Sequence, residues 1–546
     1  MQSQTTVRVS APSWLTDRQT ELNSALTEEG GLSPSIQVEF DNEAHTGDAL
    51  ETYRQWLDAG RTSPTVMVMD NPWPSVFIDR EQLQPLDPLF AESLTDRVRE
   101  EYLSLILSTA TDDGTLYGLP LMIDLPTIQY RKDVLRQAGY TDSEFQRWSS
   151  ESMSWQQFSN VVEAGMESSG LDGFLWQGAA YEGLSCCTFL EFMSSWGGSY
   201  FGAFENLFGP IGDRPITVDE QPVVDALRML RAFIYGPSDD AALDGYAAVS
   251  PEAVVDYTED QPHQSFTDGE AIAQRNWPYS INTNGAEDAF GEDLGVMPVP
   301  YEVREAGSRY GPEIGGSPAS LGGWHLTVNP NAPTAKQEAA VEVLQAFHAQ
   351  QVRLRLFESF GLPSPVPDDL SLTEFQEADP LGRYTDVFQT AVENLVPRPV
   401  TRVWPPQSDA IATEVNAVLR QRKAPQRAMD DLEERLREIE ESVQSSPTPT
   451  ATPTPTATQR SGGGQTEPAG SEPSGTTATP GSTESGSSEP TTSASSVGTP
   501  TAGRATDVTN GDDTQARTTS ESAPGFGVLA TLAGFGALAW RQRQTD

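Results

Sequence analysis

The stretch DGTLYGLPLMIDLPTIQYRKDVLRQAGY, residues 113–140, decides the predicted fold. Gly114 and Gly118 permit tight turns, and the apolar runs on either side of Asp124 are typical of two strands inside a sheet. The residues before Gly139 predict a short amphipathic helix that this glycine ends. Asp124 breaks the apolar pattern. Its carboxylate must be paired, hydrogen-bonded or placed at the wet edge of a sheet, because burying a lone charge is costly.

The chain before this stretch alternates between strand and helix patterns, which predicts βαβ units around a mainly parallel sheet. Ligands of such α/β sheets lie beyond the carboxyl ends of the strands. Asp70 and Trp73 follow the third strand and are therefore candidate binding residues, although Asp70 capping the next turn is the alternative. The predicted strands are Thr6–Ser10, Ile36–Phe40 and Thr65–Met69, and the predicted helices are Thr16–Thr27 and Asp48–Gly60.

Two long helices are predicted in the second half of the chain. One begins with a capping box at Thr334 and runs to Phe360, where Gly361 ends it. The other spans Asp430–Ser442 and has Leu432, Leu436 and Ile439 along one face. The simplest interpretation of its charged residues is that they form the solvent-exposed face of the helix.

The chain of 546 residues carries a formal net charge of −45, from 79 acidic against 34 basic residues, of which only Lys132, Lys336 and Lys423 are lysines. An anionic surface repels phosphates, so we expect no nucleic-acid partner. Abundant acids with few lysines resemble the protein composition of salt-loving archaea. We therefore expect a protein that stays soluble in very high salt.

The sequence favours a binding protein over an enzyme. It has no HExxH, GxSxG, P-loop or CxxC motif, and its four histidines show no metal-ligand spacing, so we predict no catalytic residues, no metal and no cofactor. With 79 acidic residues, a glycosidase that uses two carboxylates remains an alternative. Cys186 and Cys187 are adjacent, and we expect two buried thiols, with a vicinal disulfide as the less favoured option.

The C-terminal part of the sequence predicts a cell-surface protein, whereas the N-terminal part lacks the pattern expected for secretion. Residues 445–523 are rich in Thr, Pro, Ser and Gly, which predicts a disordered stalk. Residues 524–546 combine Pro-Gly-Phe, a short apolar run and terminal arginines, and resemble the archaeal PGF-CTERM sorting signal, which implies a lipid-linked C-terminus. No signal-peptide pattern precedes the first strand, so we expect a mature form or a true start farther upstream.

Several strings, in order along residues 5–440, resemble the family 1 extracellular solute-binding proteins, the sugar receptors of ABC importers, and their trehalose/maltose-binding branch in particular. The strings are LYGLP with YRKD at 116–133, WQQF at 155–158, WQG at 176–178, YEGL at 181–184, GG at 197–198, RNWPY at 275–279, LGGW at 321–324 and VPRP at 396–399.

The resemblance implies an α/β fold of two lobes that close on a ligand by hinge motion. We expect lobe I to comprise residues 1–120 and 282–329, and lobe II to comprise 121–281 and 330–444. The crossings between lobes then lie near Pro120, Ile281 and Asn329.

The resemblance and the aromatic and polar residues around loops together predict a sugar-binding site. Six residues match the family's binding positions, and Trp404 stands where the branch has a tyrosine. Met122 replaces an expected tyrosine, and no acidic contact is found near Trp14. Arg398 is expected to bind sugar hydroxyls or a carboxylate such as Asp124. The predicted site consists of Asp70, Trp73, Asp124, Glu182, Trp277, Gly323, Trp324, Arg398 and Trp404.

The alternatives to this site are structural. A tryptophan usually belongs to a core, Arg398 suits a structural ion pair, and Glu182 suits either role. In the binding hypothesis the four tryptophans are partly exposed platforms for sugar rings, and Asp124 makes charge-assisted bonds to hydroxyls.

We predict from these observations an extracellular sugar-binding protein of an ABC importer. Its partners would be the sugar and the permease subunits in the membrane, and we expect a monomer anchored through its C-terminus on the outer face of the membrane. A glycoside hydrolase and a surface adhesin with a degenerate cleft are the alternatives.

The charge of the chain yields a first prediction. Transfer from molar to millimolar salt should unfold or expand the protein, because the screening length grows from about 3 Å at 1 M to about 30 Å at 0.01 M and the carboxylates then repel each other. Circular dichroism measures this, with sucrose at equal osmolality as the control for non-ionic effects. An unchanged spectrum in low salt would contradict the prediction.

Overall fold

The structure is a computed structural model that describes residues 4–46, 48–304, 307–311 and 313–444. The strands are β1 Thr5–Ser10, β2 Ile36–Asp41, β3 Val66–Asp70, β4 Thr111–Asp112, β5 Thr115–Leu116, β6 Gly118–Asp124, β7 Thr127–Arg131, β8 Asp172–Leu175, β9 Ala271–Asn276, β10 Leu294–Met297, β11 Ala319–Ser320, β12 Gly322–Val328 and β13 Leu395–Val396.

The helices account for most of the remaining regular structure. They are α1 Ser13–Thr16, α2 Gln19–Glu28, α3 Ala49–Asp58, α4 Trp73–Ile78, α5 Glu92–Glu101, α6 Ser104–Ser108, α7 Lys132–Gln137, α8 Asp142–Glu151, α9 Trp155–Ser169, α10 Phe189–Ser195, α11 Gln221–Tyr235, α12 Asp260–Thr267, α13 Tyr279–Asn284, α14 Thr334–His348, α15 Gln350–Phe360, α16 Thr373–Gln376, α17 Thr385–Glu393, α18 Trp404–Leu419 and α19 Pro425–Gln444.

The first sheet has the strand order β2-β1-β3-β12-β6. Strands β2, β1 and β3 are parallel, whereas β12 runs antiparallel to both β3 and β6. The predicted βαβ alternation at the start of the chain is confirmed, since α2 and α3 connect these parallel strands. The consecutive residues Val66, Met67, Val68 and Met69 of β3 are fully buried, as expected for a strand covered on both faces.

The second sheet has the strand order β10-β7-β9-β8, and only the β8 and β9 pair is parallel. Its core contains a large aromatic group in which Trp155 contacts Phe158 and Phe192. The two strands predicted around Asp124 are β6 and β7, and they belong to different sheets. The predicted two-lobed α/β fold is thereby confirmed.

The boundaries of the lobes remain a proposal. The pairing of the strands favours boundaries that differ from the predicted ones. The chain passes from the first sheet to the second after Asp124, because β6 belongs to the first sheet and β7 to the second. Only Leu125 and Pro126 separate these two strands. Strand β10, predicted in lobe I, pairs with β7 of the second sheet. Helices α14 and α15, predicted in lobe II, belong to the core of the first sheet. Apolar runs identify strands but not the sheet they join, which explains the difference.

The predicted helix from Thr334 to Phe360 is two helices, α14 and α15, separated by Ala349 in an extended conformation with ψ 130°. No glycine or proline marks this break in the sequence. The predicted capping box is also wrong, since Thr334 is not the N-cap and the side chain of Gln337 donates to the carbonyls of Asn329 and Pro330. Gly361 ends the helix as predicted, with a left-handed φ of 71°.

The prediction of two free thiols is wrong, because Cys186 and Cys187 form a vicinal disulfide. Both residues are buried, as predicted. They lie on the π-helical turn Leu184–Thr188. The sequence argument ranked this vicinal bond below two free thiols, and the structure has the less favoured option, with the Cα atoms 3.8 Å apart.

Predictions for residues 445–523 and 524–546 lie outside the described residues. Within the described ranges, no helix combines the length and the apolar character needed to cross a membrane. The same ranges contain no group of His, Cys, Asp and Glu side chains suited to a metal ion.

A buried ion pair holds helix α19 to the core of the second sheet. Its apolar residues Leu432 and Leu436 are fully buried, as predicted. Arg214 Nη2 donates to Glu440 Oε1 at 2.6 Å, and the two side chains are 0% and 4% exposed. Gln407 Nε2 donates to the same oxygen at 2.6 Å.

We expect Glu440→Ala to lower the free energy of unfolding by about 3–5 kcal/mol, because it leaves the buried charge of Arg214 unpaired. Urea denaturation in molar salt measures this. Glu438→Ala is the control. Glu438 pairs with Arg435, and the two side chains are 61% and 60% exposed. Loss of this exposed ion pair should cost at most about 1 kcal/mol. Equal losses in the two variants would contradict the prediction.

Candidate functional site

Strand β12 brings the two predicted aspartates to either side of one short segment. In the sheet register Trp324 lies opposite Asp70 at the end of β3, and Gly322 lies opposite Asp124 at the end of β6. A Cβ atom on Gly322 would stand 2.1 Å from the Cβ of Asp124, and one on Gly323 would stand 2.5 Å from the carbonyl oxygen of Met122. The two glycines before Trp324 therefore permit the close approach of β6.

Arg398 joins two of the predicted acids. Its Nη2 donates to Asp70 Oδ1 at 2.8 Å, and its Nη1 donates to Glu182 Oε1 at 2.9 Å. Trp404 Nε1 donates to the same oxygen of Glu182 at 3.3 Å. The structure thus brings four predicted residues together. The suggested pairing of Arg398 with Asp124 is wrong, because Asp70 and Glu182 occupy its guanidinium group.

The Arg398 bridge lies inside the protein. The side chains of Arg398 and Asp70 are 0% exposed, and that of Glu182 is 27% exposed. Burial lowers the pKa of Arg398, although both carboxylates oppose this. Burial raises the pKa of Glu182, and the charge of Arg398 opposes it. Asp70 Oδ1 also accepts the backbone N–H of Asn71 at 2.7 Å, whereas its sugar-binding role stays a prediction.

An aromatic cluster surrounds Trp324. The centroids of the Trp14, Trp73 and His45 rings each lie 5.9 Å from that of Trp324. The ring of His45 is also stacked on Trp73, with the centroids 6.5 Å apart. Sequence reasoning missed Trp14 and His45, because its search near Trp14 was for an acidic contact. An aromatic residue on the first helix was the available signal.

His45 is a neutral member of this cluster. Burial lowers its pKa to about 3, so the imidazole carries no charge at neutral pH. Its Nε2 forms a hydrogen bond of 2.8 Å with the hydroxyl of Tyr53.

A second group of residues surrounds Trp277. The guanidinium carbon of Arg275 lies 4.0 Å from the centroid of the Trp277 ring, a cation–π contact that covers one face of the indole. Arg275 Nε and Nη2 donate to Glu191 at 2.9 Å and 2.5 Å, and Ser320 donates its hydroxyl to the same carboxylate. Sequence reasoning missed Arg275 and Glu191, although Arg275 begins the quoted RNWPY string.

Two acids near Arg275 are held away from their ordinary titration range. Asp124 keeps part of its side chain in contact with solvent, but the surrounding protein desolvates it and raises its pKa to about 8, against the attraction of Arg275. Burial likewise raises the pKa of Glu259 to about 7, although it accepts a hydrogen bond of 2.6 Å from Tyr181. Desolvation therefore favours the neutral form of Asp124, which opposes the charge-assisted bonds expected of it.

The four predicted tryptophans are buried, which corrects the expectation of partly exposed platforms. Trp73, Trp277, Trp324 and Trp404 are 4%, 2%, 5% and 1% exposed. Side chains from distant parts of the sequence cover their rings, and local patterns do not reveal such contacts.

Four buried donors in these groups find no hydrogen-bond acceptor among the described residues. Buried donors normally have partners, and each exception calls for an explanation. The atoms are Trp73 Nε1, Trp277 Nε1, Arg275 Nη1 and Arg398 Nε.

Similarity to known proteins extends over most of the chain. A probable ABC transporter-binding protein of Deinococcus radiodurans is 28% identical over 425 residues, which cover 75% of this chain and 87% of that protein. The maltose-bound MalE3 structure of T. maritima has a TM-score of 0.65 and 24% identity, covering 80% of this chain and all of that one. A mannitol-bound solute-binding protein of Agrobacterium vitis has a TM-score of 0.59 and 17% identity, and the match covers 82% of this chain and 100% of that one.

The family model described as bacterial extracellular solute-binding protein matches residues 16–347, which is more than half of the chain. The two sheets and their covering helices agree with the fold of the similar structures. The chain therefore belongs to the bacterial extracellular solute-binding protein family.

Proposed function

We propose that this protein binds a neutral sugar or polyol between its two sheets and delivers it to an ABC permease. The observation that carries the proposal is the Arg398 bridge. It joins Asp70, at the end of a strand of the first sheet, to Glu182, which precedes a buried turn in the core of the second. The similar proteins described as bound to maltose and mannitol support the ligand class.

The chemistry around the bridge suits such a ligand. A sugar offers hydroxyl groups beside apolar C–H faces, and it therefore needs polar partners next to aromatic rings. Trp73 and Trp277 supply both, because each presents a ring and a buried N–H without an acceptor among the described residues. A bound hydroxyl would relieve the cost of these donors, about 1–3 kcal/mol for each buried unsatisfied group.

The charge near the bridge favours a neutral ligand over an anionic one. Asp70 and Glu182 share the single positive charge of Arg398, which leaves an excess of one negative charge when both acids are ionised. The charge of Arg275 is similarly matched by Glu191. Among the described residues, Arg398 and Arg275 thus offer a phosphorylated or carboxylated sugar no cation that is not already matched by a carboxylate.

Entry of the ligand requires motion, because the tryptophans are covered in this structure. We propose that the lobes separate about the short Leu125-Pro126 connection and the later crossings, as in hinge closure generally. In this proposal the Arg398 bridge stabilises the closed arrangement and is remodelled when a ligand enters. Anchoring of the chain through residues 524–546 stays a prediction from the sequence.

A thermal-shift screen in molar KCl tests the function, with maltose, trehalose, D-tagatose, ribitol and D-mannitol as probes. We expect at least one probe to raise the melting temperature, because a ligand that binds only the folded state stabilises it. No shift with any probe and no change in small-angle scattering would favour the adhesin alternative. Release of glucose from the disaccharides would favour the glycosidase.

Trp324→Leu should weaken binding of the positive probe about tenfold to a hundredfold, since it removes an aromatic surface worth about 1–3 kcal/mol in ring stacking. Titration calorimetry measures this. Trp148→Leu is the matched control. Trp148 is 4% exposed and has edge contacts with Tyr130, Tyr140 and Phe145 in the other core. Equal affinities of the two variants would contradict the role of Trp324.

The raised pKa of Asp124 predicts a pH dependence of stability. Its pKa is 3.8 ordinarily and about 8 in the folded protein. Between these values the folded state binds more protons than the unfolded chain, so the free energy of unfolding falls as the pH rises. Asp124→Asn should remove this part of the fall, as measured by urea denaturation from pH 4 to about pH 9.

Asp133→Asn is the control, because the pKa of Asp133 is lowered in the folded protein whereas that of Asp124 is raised. Burial would raise the pKa of Asp133, but the hydrogen bonds and charge of Arg131 lower it overall, so this carboxylate stabilises the fold at neutral pH and not in acid. Asp133→Asn should therefore reduce stability at pH 7. A slope for Asp124→Asn equal to that of the wild type would overturn the prediction for Asp124.

A further inference from the structure

Arg275 lies at the centre of a buried polar group. It is the fifth residue of β9 and is 1% exposed. Two of its three nitrogens donate to Glu191, which is 2% exposed, and Ser320 donates to the same carboxylate. Ser320 ends β11, immediately before the segment that leads to Gly322 and Trp324. Glu191 therefore connects Arg275 to β11, two residues before β12, the strand that carries part of the proposed site.

The third nitrogen of Arg275, Nη1, has no hydrogen-bond acceptor among the described residues. The neighbouring indole N–H of Trp277 has none there either. Arginine keeps its proton, so Nη1 remains a donor at every physiological pH. Asp124 and Glu259 act on its charge through space, but neither accepts a described hydrogen bond from it.

Besides Arg398 of the proposed site, three other buried arginines among the described residues pair with carboxylates, and they show what a structural pair looks like in this protein. Arg214, Arg231 and Arg353 each bind their acid through Nε and Nη2. In each of them Nη1 donates to a backbone carbonyl, so all three nitrogens have partners. Arg275 differs from them at this one atom.

The pair of Arg353 with Asp369 is an especially close match. Ser364 donates its hydroxyl to Asp369, as Ser320 does to Glu191. The arginine and acid side chains are 6% and 5% exposed in that pair, and 2% and 2% exposed in the Arg275 pair. The Arg353 pair is a buried ion pair of the same construction with no donor left over.

We propose that Arg275 is a further ligand-binding residue, which donates from Nη1 to a hydroxyl oxygen of the bound sugar or polyol. Glu191 and Ser320 are positioning residues, because they fix the guanidinium group through its other side. The guanidinium group also lies over one face of the Trp277 ring, which further fixes its orientation. This inference rests on the proposed function and adds a contact that the predicted site lacked.

The chemistry selects a neutral oxygen acceptor. Glu191 already balances the charge of Arg275, and the carboxyl groups of Asp124 and Glu259 act on the same guanidinium group. An anionic acceptor would be repelled by these acids when they are ionised, whereas a hydroxyl oxygen accepts the hydrogen bond without that repulsion.

The test replaces the whole pair, Arg275→Met with Glu191→Leu, because apolar replacement of a buried ion pair often preserves the fold. Binding of maltose and D-mannitol is measured by titration calorimetry at a temperature where circular dichroism shows a folded protein. We expect Kd to rise about tenfold to a hundredfold, the range for hydrogen bonds to charged groups. The matched control, Arg353→Met with Asp369→Leu, should leave Kd unchanged.

The positioning role has its own measurement. Glu191→Gln keeps the shape of the side chain and removes its charge, and it should raise Kd severalfold. The same change should have no further effect on Kd when combined with Arg275→Met, because Glu191 acts through Arg275. An additive effect of the two changes would overturn the positioning role.

The outcomes separate the two proposals. If neither maltose nor D-mannitol binds the wild type, and trehalose, ribitol and D-tagatose also fail, the proposed function is wrong and the inference falls with it. If the wild type binds a probe and the variant with Arg275→Met and Glu191→Leu binds it equally well, the inference is wrong and the proposed function stands.

Discussion

The fully buried guanidinium group of Arg398 is the constraint on which the arrangement of the site depends. A cation inside a protein is tolerated only when carboxylates and hydrogen bonds replace its hydration. Asp70 and Glu182 meet this requirement from positions 328 and 216 residues away in the chain. The first sheet, the turn before the disulfide and the loop after β13 must therefore all be in place before the charge is accommodated.

Much of the fold could be predicted from the sequence because its signals are local. Strand and helix periods gave β1 to β3 and the two strands around Asp124, and the leucines of α19 lie on its buried face as expected. The break at Ala349 was missed because no residue there disfavours a helix. The sheet to which β10 belongs depends on pairing with β7, which its own residues do not encode.

The candidate site was less accessible to sequence reasoning. Motifs and loop positions identified Asp70, Glu182, Arg398 and Trp404, which lie together, but not the partners within that group. The burial of the tryptophans escaped prediction because residues distant in sequence cover their rings. Trp14 and His45, for example, pack against Trp324. Whether an arginine is structural or available to a ligand depends on one nitrogen atom, as the comparison of Arg275 with Arg353 illustrates.

The bond between Cys186 and Cys187 bears on how the protein matures. Disulfides form and persist in oxidising compartments such as the cell exterior, where proteins of this family are located. The chain has 2 cysteines, so a single intramolecular pairing exists and oxidation requires no reshuffling among wrong partners. Burial of both residues then limits the access of external thiols to the bond. The core of the folded protein therefore contains a disulfide whose formation involves no choice among cysteines within this chain.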